Sequence, residues 1–196
     1  MSIVQGKRQL QKEATREHII KTAMAAYSMR GFSIPTAAIA EEAGVAHGSI
    51  FVHFPTREIL QISVLERFAR EAGEKLHKLS VSDSGIAELL YAHINTLEDY
   101  ELFYKKIISE ISSLPQDTRS LLVSLQSIMS YHFGIVIKRE QKNGTIKDIP
   151  AHMLFNMWIG LLHYYLQNSE MFAPGTSVLR KCKKELVNSF VKLVSR

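Results

Sequence analysis

Between Gly44 and Arg57 the chain gathers groups suited to recognising a polyanion rather than to catalysis. Ser49 can bond a base edge or a phosphate oxygen, and Gly48 lets the backbone come close to a surface. His47 can read a guanine or touch a phosphate, according to its protonation. His53 and Arg57 suit phosphate oxygens. Farther along, His93, His132 and His163 are set in apolar stripes, where they either orient a ligand or sit satisfied in a core. Catalytic signatures are missing: there is no Gly-x-Ser-x-Gly elbow, no phosphate-binding glycine loop and no His-Glu-x-x-His. No two of the eight histidines fall four residues apart, the spacing that would clamp a metal on a helix. Neither an enzyme nor a metal or cofactor site is expected.

The elements that must position these groups are helices. A chain of 196 residues predicts one domain or two small ones. Its 46% hydrophobic and 22% charged residues are ordinary for a globular protein, which excludes disorder and collagen-like repeats. The net charge of +5 permits a nucleic-acid partner without demanding one. A lone cysteine, Cys182, excludes an internal disulfide and a multi-cysteine metal site, and fits a reducing cytoplasm. The N-terminus has no apolar core of a secretory signal, and the greasiest stretch, Ile149 to Leu166, is interrupted by Pro150, His152, Asn156 and His163. It reads as a helix buried in protein, so the expected location is the cytoplasm, away from membranes.

Periodicity predicts an all-α fold with no run of alternating strand pattern. Thr15 is the expected N-cap of a first helix with Ile19, Ala23, Ala26 and Tyr27 on one stripe, stopped by Gly31. Pro35 starts a second short helix that ends at Gly44. A third runs from about Ala46 to Val52 or His53, and Pro55 closes it and opens a fourth lasting to about Leu79. After a loop at Ser80–Gly85, helices are expected at 86–97, 101–113, 116–141, 150–168 and 177–194, separated by Pro115, Asn143-Gly144 and Pro174-Gly175.

Three short helices joined by a tight Ala43-Gly44-Val45 turn describe a helix-turn-helix. Ala40 is small where two helices cross, Gly44 can take a positive φ, and Ile39, Val45 and Ile50 form the apolar wedge that fixes the crossing. The third helix can then lie in a major groove. The series Thr15-Arg16, Ile19-Ile20, Ala23, Tyr27, Gly31-Phe32, Ile39-Ala40-Glu41-Glu42-Ala43-Gly44-Val45, Gly48-Ser49-Ile50-Phe51 and His53-Phe54-Pro55-Thr56-Arg57-Glu58 closely resembles the TetR family of bacterial transcriptional regulators over about the first 60 residues. Two positions depart from the family pattern: Ala46 replaces a capping Ser, and Phe51 replaces a Tyr. The resemblance implies DNA contacts at Thr36, His47, Gly48, Ser49, Phe51, Val52, His53 and Arg57. It also implies a DNA-binding domain over 1–55, followed by a helical effector-binding and dimerisation domain over 56–196. With seven Lys+Arg against five Asp+Glu in residues 1–60, shape carries this reading more than charge.

The remaining residues suggest both tasks. Helix 150–168 is apolar almost all round and needs a cover on every side, for which a second subunit is available. Helix 177–194 has two apolar stripes, Leu179-Cys182-Leu186-Phe190-Leu193 and Val187-Val191-Val194, expected to face its own core and a partner. A homodimer through these two helices follows. A pocket for a small apolar or aromatic effector is expected among His93, Phe103, Tyr104, Ile107, Met129, His132, Phe155, Trp158 and His163, with Tyr91 and Phe133 nearby. The expected function is a ligand-responsive regulator, a repressor released from a palindromic operator. The competing reading is a helical protein-binding adaptor using the basic cluster Arg180, Lys181, Lys183 and Lys184, although a solvated face is the simpler account of that cluster.

Overall fold

The apolar residues of the first helix recur three and four apart, so one stripe turns inward. In the computed structural model, which describes residues 2–80 and 84–196, Ile19, Ile20, Ala23, Ala26 and Tyr27 are all buried on helix α1, Ser2–Arg30. Thr15 is not its cap. It lies inside the helix with its hydroxyl donating to the Gln11 carbonyl at 2.9 Å, because Gln11, Lys12, Glu13 and Ala14 are good helix formers that carry α1 upstream. Gly31, at φ 81°, ends it as expected.

Helices α2 (Thr36–Glu42) and α3 (His47–His53) pack across α1 through Ile39, Ala40, Ile50 and Phe54. Gly44, at φ 64°, makes the turn between them. The Val45 amide donates back to the Ala40 carbonyl at 3.0 Å and the Gly44 amide to Glu41 at 3.0 Å, the paired bonds that close a helix at a left-handed glycine. His18 Nε2 lies 3.0 Å from the Ala43 carbonyl and ties this turn to α1. Helix α4 runs Arg57–Ser80. Thr56, not Pro55, opens it, its hydroxyl accepting the Ile59 amide at 3.3 Å.

Beyond α4 come α5 (Ile86–Glu98), α6 (Glu101–Glu110, continued by a 3₁₀ turn to Ser113), α7 (Gln116–Lys142), α8 (Ala151–Gln167), the short α9 (Ser169–Phe172) and α10 (Val178–Val194). The all-α expectation and the breaks at Pro115, Asn143-Gly144 and Pro174-Gly175 hold among the described residues, whose pairing outside helices includes one isolated bridge, Ile146 to Ser195. The expected loop at Ser80–Gly85 falls partly outside the described residues. Glu101 is a buried acid at the start of α6. It accepts the Val178 and Leu179 amides at 3.0 and 3.2 Å, which locks the start of α10 onto α6.

One expectation is corrected. The second stripe of α10 does not face outward, since Val187 and Val194 are fully buried within the subunit and Val191 partly so. Its outer face is polar, with Lys184, Glu185, Asn188 and Ser189 exposed. Helix α8 buries Leu154, Trp158, Leu162 and Leu166 within the subunit, while on the side where a second cover was expected Met153, Met157 and Tyr164 are 48%, 40% and 53% exposed. Among the described residues one helix, α7, is long and apolar enough to cross a membrane. Its inner residues, Phe133, Val136 and Ile137, pack into this fold.

The first three helices meet the rest of the fold where Arg67 donates to Glu17 at 2.6 Å, where Arg16 donates to Ser63, and around the backbone of Phe32. The Phe32 amide donates to Glu110 Oε2 on α6 at 2.8 Å, and the Phe32 carbonyl accepts from Arg57 Nη2 and, at 3.2 Å, from Gln61 Nε2 on α4. Phe32 itself stacks on Tyr27 at 4.8 Å and leans on Phe103 at 5.7 Å. A Cβ on Gly31 would strike the Glu110 carboxylate, whereas one on Gly44 meets open space. Gly44→Ala is therefore expected to cost about 1–2 kcal/mol, the strain of a left-handed alanine alone. Gly31→Ala should cost more, because it adds that collision. Urea denaturation of both variants tests the order, and equal losses would show that Glu110 yields freely.

Candidate nucleic-acid interface and ligand cavity

On α3, Ile50 faces inward and is fully buried, which turns the residues one and two places along from it, Gly48, Phe51 and Val52, toward the outside. His47 and Gly48 are exposed, with Phe51 at 43% and Val52 at 71% exposure. An exposed phenylalanine and valine on a seven-residue helix are not serving the core. Such residues suit apolar contact with a thymine methyl in a major groove. Thr36 Oγ1 stands 3.0 Å from His47 Nε2, joining the start of α2 to the start of α3, and the His47 ring meets Phe51 edge-on at 5.2 Å. Ser49 is half-buried at the flank of this face. No side chain caps α3, as the alanine at position 46 requires.

His53 and Arg57 are set differently. The Nδ1 of His53 is buried without a partner, and burial, then Lys12 and Arg16, lowers its pKa, so the ring is neutral at pH 7. Arg57 turns its Nη2 inward to the Phe32 carbonyl, and its Nε is buried. It is part of the joint between the two halves, a position no spacing rule announces. Nearby, Arg16 lies 5.1 Å above the Phe54 ring and donates to Ser63 at 3.1 Å.

A cavity of about 510 Å³ opens among α4, α5, α6 and α7. Of the residues expected there, His93, Tyr104, Ile107, Met129, His132 and His163 line it. Phe103 does not, since it packs between Phe32 and Phe68 in the joint. Trp158 stands behind the wall, fully buried, donating Nε1–H to His93 Nδ1 at 3.0 Å. Phe155 lies against Phe133 beside a smaller void. The sequence reading missed Phe68 and Ala72 of α4, Thr96 of α5, and Leu122 and Leu125 of α7, which also line the cavity. Their spacing was visible, but helical apolar residues look alike whether they face a void or a neighbour. Tyr104 Oη is 2.9 Å from His163 Nε2, and burial raises the phenol and lowers the imidazole, so both are neutral.

The basic cluster of α10 is largely spent on this subunit: Arg180 and Lys183 both pair with Glu98 at 2.7 Å, and together they lower its pKa.

A small three-helix head with an outward α3, joined to a larger helical body, defines the helix-turn-helix class of DNA-binding regulators. Residues 19–62 match the model of the bacterial regulatory proteins, tetR family, and the chain carries that family's N-terminal domain on the fold of its solved members. A TetR-family regulator from Agrobacterium tumefaciens superposes with a TM-score of 0.79 at 18% identity, covering 94% of this chain and 100% of that one. The fatty acid degradation regulator FadR from Bacillus halodurans gives 0.75 at 16%, covering 93% and 97%. The ketosteroid regulator KstR2 of Mycobacterium tuberculosis gives 0.71 at 15%, covering 92% and 95%. Comparison of the sequence with curated proteins finds no match.

Burial holds His93 neutral, with a pKa of about 3 against the usual 6.5. Below pH 6.5 the unfolded chain takes up a proton there that the folded chain refuses. Stability should therefore fall as the pH drops from 6.5 toward 3, by up to ~1.4 kcal/mol per pH unit from this group. His132 and His163, also lowered, act with the same sign. Between about pH 7 and pH 5, urea titrations should show His93→Gln losing about 2 kcal/mol less than the wild type. Identical losses would place His93 in contact with water.

Proposed function

We propose that this protein is a dimeric repressor that leaves a pseudo-palindromic operator when a small apolar ligand fills the cavity. The observation that carries this reading is that α4 serves both ends. It starts beside α3, with Arg57 and Gln61 holding the Phe32 carbonyl, and its Phe68 and Ala72 line the cavity. Helix α6 is a second link, since Tyr104 and Ile107 line the cavity and Glu110 holds the Phe32 amide. A ligand that fits one tilt of these helices better than another shifts the head by its difference in affinity, typically about 1–3 kcal/mol. Relatives named for fatty acid degradation and for ketosteroids accord with an apolar ligand class.

The dimer is assigned to the helices at 150–168 and 177–194, with the exposed row Met153, Met157, Gly160 and Tyr164 of α8 at its centre. Two copies of that row meet about a two-fold axis, as closed dimers require. DNA-binding is assigned to 1–55, and effector binding with dimerisation to 56–196. Thr36, His47, Gly48, Ser49, Phe51 and Val52 face the groove, and His53 and Arg57 lie at its phosphate edge, Arg57 through the donors not spent on Phe32.

Selection of sites from a random DNA pool should recover half-sites about one helical turn apart or slightly more. His47→Ala or Ser49→Ala should alter the preferred base, at about 1–3 kcal/mol for the matching pair. Arg57→Ala should weaken all sequences alike and lower the salt slope by about one unit. A stable monomer at micromolar concentration with no preferred site would defeat the reading.

A further inference from the structure

Two residues that line the cavity each carry a buried polar atom that the protein leaves without a partner. Both are on α5, three residues apart, so they lie on one side of the helix: His93 Nε2 and Thr96 Oγ1. The state of His93 is fixed by its neighbour. Trp158 can only donate, so the bond at 3.0 Å makes His93 Nδ1 the acceptor. A neutral imidazole with a lone pair on Nδ1 carries its proton on Nε2. His93 is among the residues that line the cavity, and Nε2–H is the polar group of its ring that the protein leaves unpaired. Thr96, 1% exposed, adds a hydroxyl free to donate. A buried donor without an acceptor is costly, and it becomes favourable when a ligand supplies one.

The rest of the lining sets the ligand's remaining character. Ile107, Ile108, Leu122, Leu125 and Met129 are apolar, and the charged residues Arg70 and Glu74 are exposed at the rim rather than on the inner wall. With His93 and His163 neutral and no cation at the inner wall among the described residues, a buried carboxylate there would go unpaired. We propose that the ligand is an uncharged apolar molecule with a carbonyl oxygen, bound by His93 Nε2–H and Thr96 Oγ1–H, its hydrocarbon part running outward between α6 and α7. One carbonyl oxygen has two lone pairs and can accept both bonds. This rests on reading the cavity as the effector site.

The test uses the full chain and three probes of similar length: methyl hexyl ketone, octane and octanoate. Binding is measured by calorimetry and by the emission of Trp158. The ketone should bind about ten-fold tighter than octane, and octanoate no better than octane. Thr96→Val and His93→Phe should each bring the ketone toward octane's affinity while leaving octane unchanged. Because His93→Phe also removes the acceptor of Trp158, a second readout uses the wild type: the His93 Nε2–H resonance should move with the ketone and stay with octane. Equal binding of ketone and octane overturns the donor assignment and leaves the cavity reading standing. Tightest binding by octanoate overturns the uncharged class. If none of the three binds, the cavity reading falls and the proposal with it.

Discussion

One residue, Phe32, is gripped through both of its backbone polar groups by helices of the body. Its amide is bound from α6 and its carbonyl from α4, so two helices of the body converge on a loop of the head. A buried amide or carbonyl that loses its partner costs about 1–3 kcal/mol, so the loop cannot slide without breaking bonds on one side or the other. The apolar contacts around it, Tyr27 and Phe103 on the Phe32 ring, are broad and forgiving by comparison. The hydrogen bonds set the angle, and the rings supply the adhesion.

The recognition unit and the cavity differ in how they meet this joint. Helix α3 is reached through the turn at Gly44 and the packing of Ile50 and Phe54 on α1, a short and stiff path. The cavity is reached through two long helices that pass along its walls. In the mechanism proposed above, a displacement of α4 or α6 at the wall is passed to the Phe32 backbone that both helices hold. Packed interiors transmit such strain because they have few voids in which to absorb it.

Much of this was legible in the sequence. The helix-turn-helix announced itself because each position has a demanding local requirement: a positive φ at Gly31 and Gly44, a small side chain at Ala40, inward branched residues at Ile39 and Ile50. The start of α1 was not legible, since Thr15 looks like a cap and only the absence of tertiary cost lets the helix extend upstream. For α10 the expected partner-facing stripe was misread, because apolar residues at helical spacing cannot say which neighbour they face: Val187 and Val194 are buried within the subunit, and of the two stripes Leu193 is the residue left exposed. Six of the cavity's 21 lining residues were found, three of them histidines, which stand out against leucine and isoleucine. Thr96, Leu122 and Leu125 were hidden because nothing in their types marks a void. Arg57 was legible as a charge near the recognition helix but not as a joint, which depends on a carbonyl 25 residues earlier.

Cys182 sits 7% exposed on the inner side of α10, and burial pushes its thiol above the ordinary range. Only the thiolate attacks a peroxide or another disulfide, and burial suppresses both its formation and access to it. The sulfur is thus a filler of hydrocarbon size rather than a sensor.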